Sequence, residues 1–399
     1  MQQFKEPKPN LIVTIACKTI LPFWLKLKEQ LSIKVCGNQA DRDAFSKSHR
    51  AIILLNHPDR QDPFVIGQLA IQMHEDFYCI AARECFDWDN GRRGWLFQSL
   101  GCYSVARGKA DFHSIATTEK ILRQGRRKLV VFPEGEITAD QDKLQGLQKA
   151  IFHIMLDVQK ELSAGDSKQS KNPVVIIPAA IKYSLNDDLE SAVAPALHNI
   201  ERRLALNSQK HADVRARINA VVDAYLCRVF DSYGLEKPQA SLEKLAELAA
   251  VEILRKVASS ISLDCDDAIT PTERLYAVRN QAAGKTEIDS VALQPRAFHC
   301  AGIAKPCIGS DFERIERLFI LHRMLLHSSA AIQCCRILDF IESELSGAIT
   351  PKGRQSCVVS LGTPIDVSSF VAPYTESKEK GVDALREHFK QKLQLMLEL

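Results

Sequence analysis

No Cys-x-x-Cys pair occurs among the twelve cysteines of this 399-residue chain, and no Gly-x-Ser-x-Gly. The first absence argues against a structural zinc site, whose ligands come at short, regular spacing. The second leaves a serine hydrolase or thioesterase without its nucleophile elbow. No signal peptide is apparent, so the cysteines are expected to be free thiols in a reducing cytosol, not a disulfide framework. A formal net charge of +3 is too small for wholesale nucleic-acid binding. What is present is an ordinary folded composition, 46% hydrophobic and 25% charged. The length suits two domains, or one domain with a large insertion.

Long apolar runs are missing too. The stretch 11–27 comes nearest, but Lys18 and Pro22 interrupt it, and it falls short of the roughly 20 residues a spanning helix needs. Trp24, with Lys26, Lys28 and Lys34 nearby, suits an interfacial helix over 10–30, aromatic at headgroup depth and basic toward anionic lipid. The same pattern fits an amphipathic helix packed on the protein's own core.

Apolar periodicity divides the rest. Short β-branched runs at 33–36, 51–56, 77–81, 102–106, 128–132 and 174–181 read as strands. Helical spacing marks 63–73, 111–124 and 142–162. This alternation predicts an α/β fold, a largely parallel sheet flanked by helices. A polar loop at 163–173 leads into the sixth strand. From about residue 187 to 345 the period is helical throughout: 193–207, 212–233, 241–259, 272–283 and 312–345, with breakers at Gly234, Pro238, Pro271, Pro295 and Pro306. Strand character returns at 357–365, and a last amphipathic helix spans 377–398. The expected organisation is an α/β domain built from 1–185 and 355–399, with an all-helical insertion over 186–354, domain-sized by itself.

Three segments of the front half carry chemistry. In Asn56-His57-Pro58-Asp59-Arg60-Gln61-Asp62, a histidine follows an apolar strand and a carboxylate follows it at H-x4-D spacing. Histidine suits proton abstraction near neutral pH, and a carboxylate on its other ring nitrogen can fix tautomer and orientation. The two would not face each other on one regular helix but can meet across a strand-to-helix turn. Asp62-Pro63 also reads as a helix N-cap followed by proline. Arg107 leaves the strand of Gly101–Arg107 beside Gly108 and Lys109, a placement suited to gripping a phosphate. It lies in a stretch, 83–128, where ten basic residues face five acids, an excess that would suit anionic headgroups or coenzyme A phosphates. Phe132-Pro133-Glu134-Gly135 closes the most apolar strand, where open α/β sheets place their ligands. Glu134 could bind hydroxyls or organise arginines. Pro178, inside an otherwise central-looking strand, predicts a bulge or an edge.

In this order and at these distances, the H-x4-D block, the Gly101–Arg107 block, Phe132–Gly135 and Ile177-Pro178 resemble the motif blocks of the glycerolipid O-acyltransferases. The strand around Ser360–Ile365 is similar to that family's closing strand. The resemblance covers about 10–185 and 355–399. It implies direct acyl transfer without an acyl-enzyme, from acyl-CoA or acyl carrier protein as co-substrate, with no cofactor or metal. It makes His57 the general base assisted by Asp62. Arg107 and Lys109 become candidates for the acceptor phosphate, and Glu134, Gly135 and Asn56 for the rest of the acceptor site. It also implies a cytoplasmic enzyme of phospholipid synthesis, peripheral on the inner face of the membrane. Members acting on lysophosphatidic acid follow Glu-Gly with Thr-Arg-Ser, whereas this chain has Glu136-Ile137-Thr138. One arginine is thus missing, and the acceptor stays open between lysophosphatidic acid, glycerol-3-phosphate and another lysolipid. A lipid-binding scaffold with a vestigial catalytic half is the reading from a different class.

Overall fold

The computed structural model describes residues 3–164, 172–206, 213–262, 269–282 and 311–398. In chain order the first elements are α1 (Leu11–Trp24), β1 (Leu31–Cys36), α2 (Gln39–Lys47), β2 (Ala51–Leu55), α3 (Asp62–Gln72), β3 (Phe77–Ala82), α4 (Arg92–Ser99), β4 (Cys102–Val105), α5 (Phe112–Gln124), β5 (Lys128–Val131), α6 (Lys149–Ala164) and β6 (Val175–Leu185). Six helices follow: α7 (Leu189–Arg203), α8 (Val214–Ser232), α9 (Leu242–Ser260), α10 (Pro271–Ala282), α11 (Asp311–Leu326) and α12 (Ala331–Ser346). The chain ends with β7 (Gln355–Leu361), β8 (Ile365–Asp366), α13 (Val371–Glu376) and α14 (Lys378–Glu398). Two compact units result, one from 2–183 with 356–399, the other from 184–355.

The first unit is a mixed α/β structure on an eight-stranded sheet of order β1-β7-β6-β2-β5-β3-β4, with β8 beside β6. β2 is parallel to both β5 and β6, and β3 to both β4 and β5. A strand with parallel neighbours on both edges and helices on both faces has no solvated side, so all five residues of β2, Ala-Ile-Ile-Leu-Leu, are buried. Ile52 and Leu54 face a core shared with α5, α6 and α14, while Ile53 and Leu55, also buried, alternate to the opposite face. α14 contributes Val382, Leu385, Phe389, Leu393 and Leu397, a single buried stripe at three- and four-residue steps. Phe389 meets Phe152 of α6 at 6.0 Å between ring centroids.

Several boundaries differ from the sequence expectation. The helix expected from 142 starts at Lys149, and the amides before it bond to side chains. The Asp140 carboxylate takes the N–H of Asp142 and Lys143, and Glu134 takes that of Gln145. The single helix expected over 312–345 is two, α11 and α12. Between them Arg215 donates to the carbonyls of Ser328 and Ser329, which therefore do not enter a helical ladder. α2 and α4 were not anticipated. The last strand is β7 plus the short β8.

Pro178 is not at an edge, since β6 has neighbours on both sides. The bulge lies opposite it. Gly362 N–H donates to the Pro178 carbonyl, while Ile365 pairs with Ile176, so Thr363 and Pro364 together oppose Ile177 alone. The bulge accommodates a residue that has no N–H to give. The 165–171 part of the expected loop, the helix bounds at 207, 212 and 283, Pro295 and Pro306 lie outside the described residues.

The described helices of the 184–355 unit are α7 to α12, the last ending at Ser346, and its interior carries charge. Lys352 is fully buried, its Nζ 2.7 Å from Asp339 Oδ1 and 2.8 Å from Glu342 Oε2. Glu344 receives Arg317 and the Tyr225 hydroxyl. Buried charges of this kind are tolerated only when paired and hydrogen-bonded.

Candidate active site

The parallel strands bring the marked residues to one edge. His57 follows β2, Glu134 follows β5, Glu84 follows β3 and Arg107 follows β4, all beyond the strands' C-terminal ends. Here an open α/β sheet leaves a crevice. From β2 to β4 is three strand spacings, roughly 14 Å, a span that long side chains narrow from both sides.

His57 and Asp62 meet across the turn between β2 and α3. His57 Nδ1 lies 2.6 Å from Asp62 Oδ2, with Asp62 fully buried and the histidine side chain 17% exposed. The imidazole stacks on Phe132, centroids 4.1 Å apart and planes 19° from parallel. Nδ1 is engaged, and among the described residues nothing hydrogen-bonds Nε2. Asp62 is not the N-cap. Gln61 holds that position, its side chain turned to Glu29 and making no capping bond, and Asp62 is the first helical residue. Both its oxygens are used elsewhere. Oδ2 also accepts the Asp59 N–H at 3.1 Å, and Oδ1 accepts the Tyr183 hydroxyl at 2.6 Å.

The loop after β5 holds the histidine's backbone. Glu134 Oε1 accepts the His57 N–H at 2.8 Å, and the Thr138 N–H donates to the His57 carbonyl at 2.9 Å. Glu134 Oε2 accepts the Gln145 N–H at 2.9 Å. Burial pushes the Glu134 carboxyl up to about 7, against the lowering pull of those two amides. Glu134 thus organises backbone, not arginines, and its oxygens are committed beneath the loop. Gly135 turns the loop at φ +80°, a left-handed conformation that glycine adopts without strain.

Asn56, expected at the acceptor, follows β2 directly. It is buried and exchanges two hydrogen bonds with the Ile181 backbone, 2.9 Å and 2.7 Å, continuing the β2–β6 pairing one residue further. Arg107 is half-buried and ion-paired to Glu84, and Lys109 is exposed just beyond Gly108. Much of the basic excess at 83–128 is neutralised locally. Arg83 pairs with Asp87, Arg93 with Asp89, Arg123 with Glu119 and Glu161, Arg127 with Asp76 and Lys128 with Glu75. Sequence reasoning missed Glu84, Tyr183 and Thr138. Each lies far along the chain from the residue it touches, and none stands in a local pattern.

A histidine–carboxylate pair at the C-terminal edge of a parallel sheet, with one imidazole nitrogen left unbonded among the described residues, is equipped to take a proton from a hydroxyl. Residues 37–182 match the family model described as Acyltransferase. The matched residues carry an acyltransferase domain, built on the sheet just described, and support acyltransferase activity. The domain is consistent with the glycerolipid acyltransferases. No curated protein matches the chain.

Proposed function

We propose that the protein transfers a fatty acyl group from acyl-CoA or acyl carrier protein to the hydroxyl of a lysophospholipid in phospholipid synthesis, with 1-acyl-sn-glycerol-3-phosphate as acceptor. The observation that carries this is His57, its Nδ1 held by buried Asp62 and its Nε2 without a hydrogen-bond partner among the described residues. Nε2 removes the acceptor's hydroxyl proton as the oxygen attacks the thioester carbonyl. A C–O bond forms, the C–S bond breaks, and the imidazolium returns its proton to the departing thiolate. Asp62 fixes the tautomer and stabilises the imidazolium. Arg107, steadied by Glu84, holds the acceptor phosphate, with Lys109 as a second cation.

Peripheral contact with the inner face of the membrane belongs to this reading. No residue of α1 is buried. Ile12, Ile15, Ile20 and Phe23 recur at helical spacing on one exposed face, Ile12 at 79% and Phe23 at 66%. No helix among the described residues is long and apolar enough to cross a membrane. Such a face suits lying at the interface, beside an acceptor that resides there.

The test is acyl transfer from labelled acyl-CoA and acyl carrier protein to lysophosphatidic acid, other lysophospholipids and glycerol-3-phosphate. Lysophosphatidic acid is expected to be the best acceptor, and His57→Ala to abolish transfer with the fold intact. Preference for glycerol-3-phosphate would move the acceptor assignment. Wild-type turnover in His57→Ala would remove the histidine from the mechanism.

A further inference from the structure

We propose that Tyr183 is a positioning residue of acyl transfer, its hydroxyl locking the buried Asp62 carboxylate and tempering the pull of that carboxylate on His57. This rests on the reading of His57 and Asp62 as the working pair.

The geometry is that of a three-member chain. His57 Nδ1 meets Asp62 Oδ2, and the other oxygen, Oδ1, accepts the Tyr183 O–H at 2.6 Å. Asp62 is buried at the start of α3, and Tyr183 comes from β6, 121 residues later. A carboxylate held through one oxygen alone can swing about its last torsion and exchange oxygens. Held through both, from two elements, it cannot.

The tyrosine is itself clamped. Gln141 Oε1 accepts the Tyr183 N–H at 2.8 Å, and Gln141 Nε2 donates to the Tyr183 carbonyl at 3.1 Å. Two residues earlier, Asn56 does the same to Ile181. Two side-chain amides thus extend the pairing of β6 to where the phenol must be placed. β2 supplies one of them and the loop after Thr138 the other.

The electrostatics agree. Burial and the negative charge of Asp62 push the Tyr183 phenol well above its ordinary range, with Cys357 and Asp59 adding to it. The phenol therefore stays protonated and can only donate to Asp62. A hydrogen bond donated to a carboxylate draws off part of its charge. Less charge then remains on the carboxylate that faces His57 Nδ1. The other titratable and charged groups nearby are Asp59 and Arg60 of the turn, Glu134, Glu136, Asp140, Asp142 and Lys143 of the loop after β5, and Cys357 of β7.

The test compares wild type, Tyr183→Phe, Tyr183 replaced by 3-fluorotyrosine, and His57→Ala, assayed with labelled acyl-CoA and lysophosphatidic acid across pH. In Tyr183→Phe, kcat is expected to fall roughly tenfold or more, with both KM values within about twofold. The acid limb of kcat/KM should move up by roughly half to one pH unit. The fluorinated phenol is a stronger donor and should move the limb the other way. A Phe variant that loses thermal stability but keeps the wild-type kcat and pH profile would show a merely structural hydroxyl and overturn the proposal. If Tyr183→Phe does not fold, the fluorotyrosine enzyme decides alone, and an unmoved limb overturns the proposal. Inactive His57→Ala beside an unaffected Tyr183→Phe would sink this inference only. An active His57→Ala would sink the reading beneath it as well.

Discussion

Glu134 links a single ionisation to the architecture of the site. Its carboxyl titrates near 7 in the folded protein, above the value of about 4.3 expected unfolded. A raised folded value means the folded state holds the proton more tightly. The stabilisation is complete below pH ~4.3 and is lost as pH rises through about 7. Glu134→Gln removes this dependence. Its stability relative to wild type should therefore climb between pH ~4.5 and ~7, by up to about 1.4 kcal/mol per unit. Urea titrations at a series of pH values measure that slope, and a flat difference would contradict it. A fixed offset is expected as well, because glutamine has one acceptor for the two amides of His57 and Gln145. Arg107→Ala should chiefly raise KM for a phosphorylated acceptor, by the equivalent of about 1–3 kcal/mol. An unchanged KM would put the phosphate elsewhere. The H-x4-D spacing made His57 and Asp62 visible in the sequence because both lie within one turn. Tyr183 and Thr138 were not visible, because hydrogen bonds across the sheet leave no periodic trace.

At the scale of elements, α1 has an apolar face that the protein's own core does not cover. Asn10 caps it, its side chain accepting the N–H of Ile12 and Val13, and Lys18 on its other side ties it to Glu75 and Asp76. Replacing Ile12 and Phe23 by Asp should leave stability within about 0.5 kcal/mol, as for exposed positions generally. It should also remove about 1.5–3 kcal/mol of interfacial insertion per side chain. Co-sedimentation with anionic vesicles checks this, and undiminished binding would show that another surface makes the contact. The sequence displayed the apolar stripe but could not say which surface it meets; that depends on what packs beside it. The start of α6 teaches the same lesson from the other side. Helical spacing from 142 onward was real, yet the amides of Asp142, Lys143 and Gln145 bond to the carboxylates of Asp140 and Glu134, and the helix begins at Lys149.

For the molecule as a whole, the chain forms an α/β unit from its two ends and a helical unit between them. The helical unit has buried ionic centres. Lys352→Met would leave Asp339 and Glu342 without their shared cation and should cost about 3–5 kcal/mol, whereas replacing Lys352, Asp339 and Glu342 together by apolar residues of similar volume should cost much less. Denaturant unfolding of the full chain compares the two, and equal losses would mean the pairing is not what the lysine supplies.

The sequence by itself determined the alternation that makes a parallel sheet, the helical character of the middle of the chain, and the motif spacing that marks the strand ends. These are local properties, carried by periodicity and by residues a few positions apart. Only the tertiary structure decided that Asn56 serves the sheet and Glu134 the loop, and that a tyrosine 121 residues away grips Asp62. A polar group buried by folding must take whatever partner the fold brings to it, and that partner is chosen by how the strands lie side by side.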